Sequence, residues 1–374
     1  MGKNLNLMLK PSSSKCNLKC KYCFYNCIAE SREIKDYGFM DESVLEEIIK
    51  KAIDYSEDGT CTIGFQGGEP TLIGLDFYKN LIEIVHKYNK NTKFNYVIQT
   101  NGLLLDDNFA KFLKENNFLV GLSLDGNKDV HNLNRVDSLN KDTFNSVIKA
   151  SNILKKYKVD FNILTVVTPN LIKKIDSTYK FYKKNDFKYL QFIPCLEPLE
   201  KSLSVSDSYS IKVSNYSKFL NRLFDLWYDD MINSEFVSIR LFDNILSSFL
   251  GYDYESCDMK GYCSCQNIIE SDGSVYPCDF YTYEKYSVGN ILEESFADIH
   301  NKDKTLTFIK DSFNISSKCL NCKFKHLCRG GCRRHRNINN DNLNFLCDAY
   351  YDFFSKSLSR FEELAFIIRN NNLR

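Results

Sequence analysis

An α/β fold in two parts is predicted: a partial (β/α)6 TIM-like barrel over residues 1–233, then a small cysteine-rich domain over 234–374. Three observations predict it. Up to about residue 233, short apolar runs alternate with amphipathic stretches, the rhythm of repeated strand–helix units. Six such units favour a parallel sheet curled into a barrel or part of one, because eight would need more chain than precedes the second cysteine group. Beyond Trp227 and Val237, glycine and cysteine punctuate the sequence with few long periodic runs.

The predicted strands are 5–9, 61–65, 94–98, 119–124, 161–167 and 189–193. Each precedes a helical pattern; Val44, Leu45, Ile48, Ile49, Ala52 and Ile53, for example, share one face at the 3.6-residue period. A final helix is expected over 350–368, with no internal repeat, low-complexity tract or long linker.

Composition narrows the function. The chain of 374 residues suits one large α/β unit or a large plus a small one. No apolar run reaches bilayer length, and the first ten residues, MGKNLNLMLK, lack an apolar signal core, so a cytoplasmic location is expected with no membrane partner. With 49 basic and 48 acidic side chains, no long-range field draws the protein to nucleic acid. Fifteen cysteines stand out, since cytosolic thiols stay reduced and point to metal binding rather than disulfides. Three lie within Cys16 to Cys23 and nine between Cys257 and Cys347; Cys27, Cys61 and Cys195 stand apart as packing residues.

Residues 16–23 read CNLKCKYC, directly after the first predicted strand. Cys16, Cys20 and Cys23 can hold three corners of a cubane iron–sulfur cluster that normally takes four ligands, leaving one iron open to an exogenous chelator. A three-thiolate zinc site completed by a distant ligand is the alternative. The spacing, with Tyr22 before the last cysteine, resembles the signature of the radical S-adenosylmethionine superfamily. In that family S-adenosylmethionine chelates the open iron and yields a 5'-deoxyadenosyl radical. FQGGEP, ending the second predicted strand, resembles the family's GGE-type motif; paired glycines allow close backbone approach and offer unpaired N–H and C=O groups to a ligand. Gln99 and Asn101 in QTNG, and Ser123 and Asp125 in LSLDG, fall at further strand ends, where turn-forming is the ordinary alternative.

Downstream, Cys319, Cys322, Cys328, Cys332 and Cys347 follow Cys263 and Cys278, which flank Gly273, with Cys257 and Cys265 nearby. These spacings resemble the SPASM domain of peptide-modifying radical enzymes, which holds two auxiliary 4Fe–4S clusters. The resemblance implies that Cys257, Cys263, Cys278 and Cys332 bind the first and Cys319, Cys322, Cys328 and Cys347 the second, making three clusters in all. Cys265 is surplus and leaves the first set open between it and Cys257; zinc-ribbon ligation with His326 and His335 is the other reading.

Asp279, in YPCDFY, adjoins a proposed cluster ligand. Oxidising a carbon that bears a thiol or hydroxyl, after hydrogen abstraction, requires loss of one proton and one electron, and a carboxylate suits the proton; a turn-capping role for Asp279 is the alternative. KPSSSKCNLKCKYCFY, FQGGEPTL, GLSLDG, HNLNR, LQFIPCLEPL, ESDGSVYPCDFY and CRGGCRR, in this order, resemble the anaerobic sulfatase-maturating enzymes, which oxidise a Cys or Ser of a sulfatase to Cα-formylglycine. That resemblance implies that Tyr22, Gly68, Ser123, Arg135 and Leu196 contact S-adenosylmethionine, that Asp279 accepts the proton, and that Tyr25 and Gln66 face the substrate. It also implies an unfolded or nascent sulfatase segment of Cys-x-Pro-x-Arg type as partner, and an electron donor such as flavodoxin or ferredoxin. Arg135 also suits the methionine carboxylate as a two-pronged donor. A peptide-crosslinking maturase is the competing function; such enzymes often carry an N-terminal recognition domain, for which the residues before Cys16 leave no room.

Overall fold

Along the first strands every second side chain is buried: Leu5, Leu7 and Leu9, then Cys61, Ile63 and Phe65. This period of two sets one face of the sheet against the helices; Phe65 meets Phe77 and Tyr78 at ring-centroid distances of 6.4 and 5.1 Å. The computed structural model describes residues 2–199, 209, 211–336 and 341–371. Among them lies one sheet of ten strands: β1 (Leu5–Leu9), β2 (Thr60–Phe65), β3 (Lys93–Thr100), β4 (Leu119–Ser123), β5 (Phe161–Val167), β6 (Tyr189–Pro194), β7 (Ser238–Ile239), β8 (Ile268–Ile269), β9 (Ser274–Tyr276) and β10 (Gly289–Asn290).

The order is β10-β9-β8-β1-β2-β3-β4-β5-β6-β7, an open arc. From β8 through β7 all neighbours are parallel, as helical crossovers require, with Leu5 opposite Cys61 and Gly64 opposite Val97. All six predicted strands are present at their expected places. β7 to β10, of two or three residues each, are too short to carry a period and escaped the sequence reading. β7 continues the barrel arc beyond residue 233, and β8 joins the cysteine-rich segment to β1, so one sheet runs through both parts.

The expected last helix is longer than predicted, Cys347–Asn371, and lies along the helix Val213–Ile232. Phe224 is the centre of that seam, 4.6 Å from Phe361 and 5.5 Å from Phe353 between ring centroids. Trp227, fully buried, donates its indole N–H to Val237 O at 2.8 Å. Among the described residues no helix is long and apolar enough to cross a membrane.

Candidate active site

At the C-terminal edge of the parallel strands the chain crosses from β1 to the cysteine loop, and the Gly67–Gly68 turn after β2 is laced to it. Gln66 N donates to Leu9 O at 3.0 Å, Gly68 N to Ser13 O at 2.9 Å and Glu69 N to Lys15 O at 2.7 Å. A Cβ on Gly68 would stand 2.0 Å from Lys15 O, and Gly67 has φ +131°, so the turn demands glycine. Of the turn's N–H groups, those of Gly68 and Glu69 hold the cysteine loop and are not offered to a ligand.

Glu69 is buried and receives Thr71 N (3.1 Å), Thr71 Oγ1 (2.6 Å), Thr100 Oγ1 (2.6 Å) and Asn101 N (2.8 Å). Burial pushes its carboxyl pKa up, against these donors. Asn101 in turn reaches Asn17 Oδ1 at 2.8 Å and Cys16 Sγ at 3.9 Å. A chain of polar contacts thus fixes the cysteine loop from β3. Burial, the larger cause, takes Cys16 to about 12 and Cys20 to about 11; the Cys20 and Cys23 thiols add to the rise at Cys16, and that of Cys23 to the rise at Cys20.

Asp125, just beyond β4, gathers the next group. Its Oδ2 accepts from the Tyr22 hydroxyl and from Arg135 Nε at 3.1 Å, and its Oδ1 from Val166 N at 2.9 Å. Arg135 is buried, and its Nη1 lies 3.8 Å from Cys20 Sγ. Ser123 ends β4 beside Leu164 of β5, and Leu196 follows β6 at the same edge. Arg135 is no solvated loop residue; it joins the cysteine loop to Asp125.

The third group spans both parts of the chain. Lys10, fully buried, places Nζ 2.5 Å from Asp279 Oδ1 and 4.0 Å from the Tyr25 ring centroid, while Gln66 Nε2 donates to Asp279 Oδ2 at 3.1 Å. Tyr25 donates its hydroxyl to Glu270 Oε1, which also takes Arg32 Nη2 at 2.8 Å; Arg32 Nε donates to Thr282 O at 2.6 Å. Glu270 sits at the corner of the β8–β9 hairpin. The three residues expected at the substrate, Tyr25, Gln66 and Asp279, are thereby brought together around one buried lysine.

The remaining thiols fall into two sets. Mutual electrostatic influence links Cys278 with Cys332 and Cys263, and Cys332 with Cys263 and Cys257. Cys265 stands outside: its thiol turns to Asn267 Oδ1 at 3.5 Å and no other thiol perturbs it. Cys319, Cys322, Cys328 and Cys347 wall a cavity of about 410 Å³ with Phe324 and Tyr350. Among the described residues no three His, Cys, Asp or Glu side chains converge on a single ion position. A cubane, whose thiolates each bind a different iron, does not ask them to, so three-, four- and four-thiol groups fit iron–sulfur clusters. Another cavity, about 470 Å³, opens at the opposite ends of β4 to β7 and includes Arg240 and Asp243, away from these groups.

Comparison with known proteins decides the family. Residues 11–182 match the radical SAM superfamily and residues 257–323 an iron–sulfur cluster-binding domain. A cysteine-type anaerobic sulfatase-maturating enzyme of Clostridium novyi (strain NT) is 49% identical over 367 residues, 97% of this chain and 98% of that one. The chain belongs to the anaerobic sulfatase-maturating enzymes. A serine-type member from Bacteroides thetaiotaomicron is 30% identical, over 94% of this chain and 89% of that one. A solved structure of native anSMEcpe with bound AdoMet and Cp18Cys peptide superposes with a TM-score of 0.92 at 46% identity, covering 100% of both chains. As a radical SAM member of this family the protein is an oxidoreductase built around 4Fe–4S clusters.

Four residues of this anaerobic sulfatase-maturating enzyme escaped the sequence reading. Lys10 had a signal, a lysine closing the apolar strand LNLML at the mouth of the barrel. Glu69 lies inside the quoted GGE motif, but its role as an acceptor of four hydrogen bonds needs the fold. Glu270 opens the quoted motif ESDGSVYPCDFY, but nothing in the sequence ties it to Arg32, 238 positions away. Cys61 and Cys195 are buried, and Cys27 is half-buried.

Proposed function

We propose that this chain oxidises a cysteine side chain in an unfolded sulfatase segment to Cα-formylglycine, with Asp279 taking the thiol proton. The observation that carries the reading is the Lys10–Asp279–Gln66 cluster, beside the cysteine loop, in a chain whose cysteine-type relative is more similar than its serine-type one. Cys16, Cys20 and Cys23 would hold the first cluster, Cys257, Cys263, Cys278 and Cys332 the first auxiliary one, and Cys319, Cys322, Cys328 and Cys347 the second. When bound, these groups and S-adenosylmethionine supply the electron traffic and the 5'-deoxyadenosyl radical that takes a hydrogen atom from the substrate Cβ.

The protein's residues do the rest. Asp279, ion-paired with Lys10, is a carboxylate, the form able to take the proton lost as the C=S bond forms. Gln66 fixes its second oxygen, and Tyr25, pinned by Glu270, walls the site. Tyr22, Gly68, Ser123, Arg135 and Leu196 line the strand ends where S-adenosylmethionine would lie, with Asp125 and Glu69 as their anchors. Residues 1–233 would carry the radical chemistry and 234–374 the auxiliary clusters. A cytoplasmic setting, with an electron donor such as flavodoxin or ferredoxin, suits a chain whose fifteen cysteines are all free.

The test is anaerobic incubation of the reduced, loaded protein with S-adenosylmethionine and matched peptides bearing Cys-x-Pro-x-Arg or Ser-x-Pro-x-Arg. The expected result is deoxyadenosine matched by loss of about 18 Da from the cysteine peptide, the thioaldehyde having hydrolysed to aldehyde. Deoxyadenosine with no such mass change would move the reading to a peptide-crosslinking reaction.

A further inference from the structure

Cys332 is followed by one helical turn, Arg333–Arg336, carrying three arginines. Arg333 pairs with Asp311 at 3.5 Å. Arg334 and Arg336 differ: they are 3% and 1% exposed, and among the described residues their partners are backbone carbonyls, not carboxylates. Arg336 donates from Nη1 to Asn314 O at 2.8 Å and from Nη2 to Ser312 O at 2.8 Å and Gly261 O at 3.4 Å; Arg334 Nη2 donates to Glu197 O. Two nitrogens, Arg334 Nη1 and Arg336 Nε, are buried with no acceptor among the described residues.

Two buried cations with no carboxylate partner among the described residues are costly. Arg334 lies two residues after Cys332 and Arg336 four, so both are carried by the turn that follows a proposed ligand. The hydrogen bonds lead to the same place: Ser312, whose carbonyl holds Arg336, accepts Cys263 N at its hydroxyl at 2.8 Å, and Gly261 lies two residues before Cys263. Asp258, next to Cys257 in the chain, is the nearby acid. The anion that balances these arginines is thus to be sought among Cys257, Cys263, Cys278 and Cys332.

We propose that Arg334 and Arg336 are the counter-charges of the first auxiliary cluster and raise its reduction potential through their charge and their unpaired N–H groups. The proposal rests on the ligand set given above. Reduction adds one negative charge to a cluster already negative from four thiolates, so a nearby cation stabilises the reduced form more than the oxidised one.

The test is an anaerobic potentiometric titration, followed by electron paramagnetic resonance, of the full chain with Cys16, Cys20 and Cys23 replaced by Ala, so that auxiliary clusters alone give signals. Arg336→Gln and Arg334→Gln should each move one potential negative by at least 59 mV, a tenfold change in the one-electron equilibrium. The other potential should stay in place, and Arg336→Lys, which keeps the charge, should lie nearer the parent than Gln. Both potentials unmoved in both Gln variants, or Lys shifting as far as Gln, would overturn the proposal. If Arg336→Gln loses iron, Arg336→Lys decides: retention of about eight irons with the parent potential supports the charge role, and loss in both overturns it. Cys332→Ala in the same background should lower iron from about eight to about four; unchanged iron would fault the ligand set rather than the charge pairing.

Discussion

Gly68 has no side chain, and the site depends on that. Its position, with Lys15 O 2.0 Å from where a Cβ would be, lets the Gly-Gly turn bind the cysteine loop. Gly68→Ala must push that loop aside, and we expect deoxyadenosine formation from S-adenosylmethionine to fall at least tenfold, a loss of roughly 1.4 kcal/mol or more in transition-state binding; a rate within twofold of the parent would show that the loop tolerates the methyl. His131, buried beneath Asp125, accepts Asp125 N at Nδ1 and contacts Thr143 Oγ1. Burial lowers its pKa from 6.5 to about 4, so between those values the unfolded chain binds a proton that the folded one does not. Stability should therefore decline as pH falls from 6.5 towards 4, by about 3 kcal/mol at the limit. Thermal unfolding of His131→Gln should show a shallower acid slope than the parent.

At the scale of elements, the six long strands were legible because each is an apolar run followed by a helical pattern; the two-residue burial period is clear in β1 and β2, whereas in β4 four successive residues are buried. β7 to β10 carry no period, and their pairing is imposed by the sheet they join. The final helix was legible in type but began earlier, at Cys347, because a cysteine proposed as a ligand also starts the helix. Its hold on Val213–Ile232 is aromatic, centred on Phe224 and Phe361. Phe361→Ala should cost about 3–5 kcal/mol, read as a lower midpoint of anaerobic denaturation. Substitution of the exposed neighbour Phe366 on the same helix should change it little.

At the scale of the molecule, the active site lies on the seam between two stretches of chain far apart in sequence. Cysteine spacing and strand-end motifs marked the candidate metal groups and Asp279. The Tyr25–Glu270–Arg32 link was not legible, since nothing local marks residues whose partners are more than 200 positions away. Arg32 and Glu270 are both wholly buried, so Arg32→Met leaves a carboxylate without its cation and should cost about 3–5 kcal/mol. Adding Glu270→Gln should recover part of that stability, and no recovery would show that packing rather than charge holds the seam. Lys10 and Asp279 meet across the same seam, and their pairing is the centre of the account. Its most direct test follows deoxyadenosine and formylglycine together in the parent and in Asp279→Asn with a cysteine peptide. The account predicts deoxyadenosine within about twofold of the parent and formylglycine lower by roughly 10²-fold, as loss of a general base entails. Undiminished formylglycine, or deoxyadenosine falling in step with it, would contradict Asp279 as the acceptor of the substrate proton.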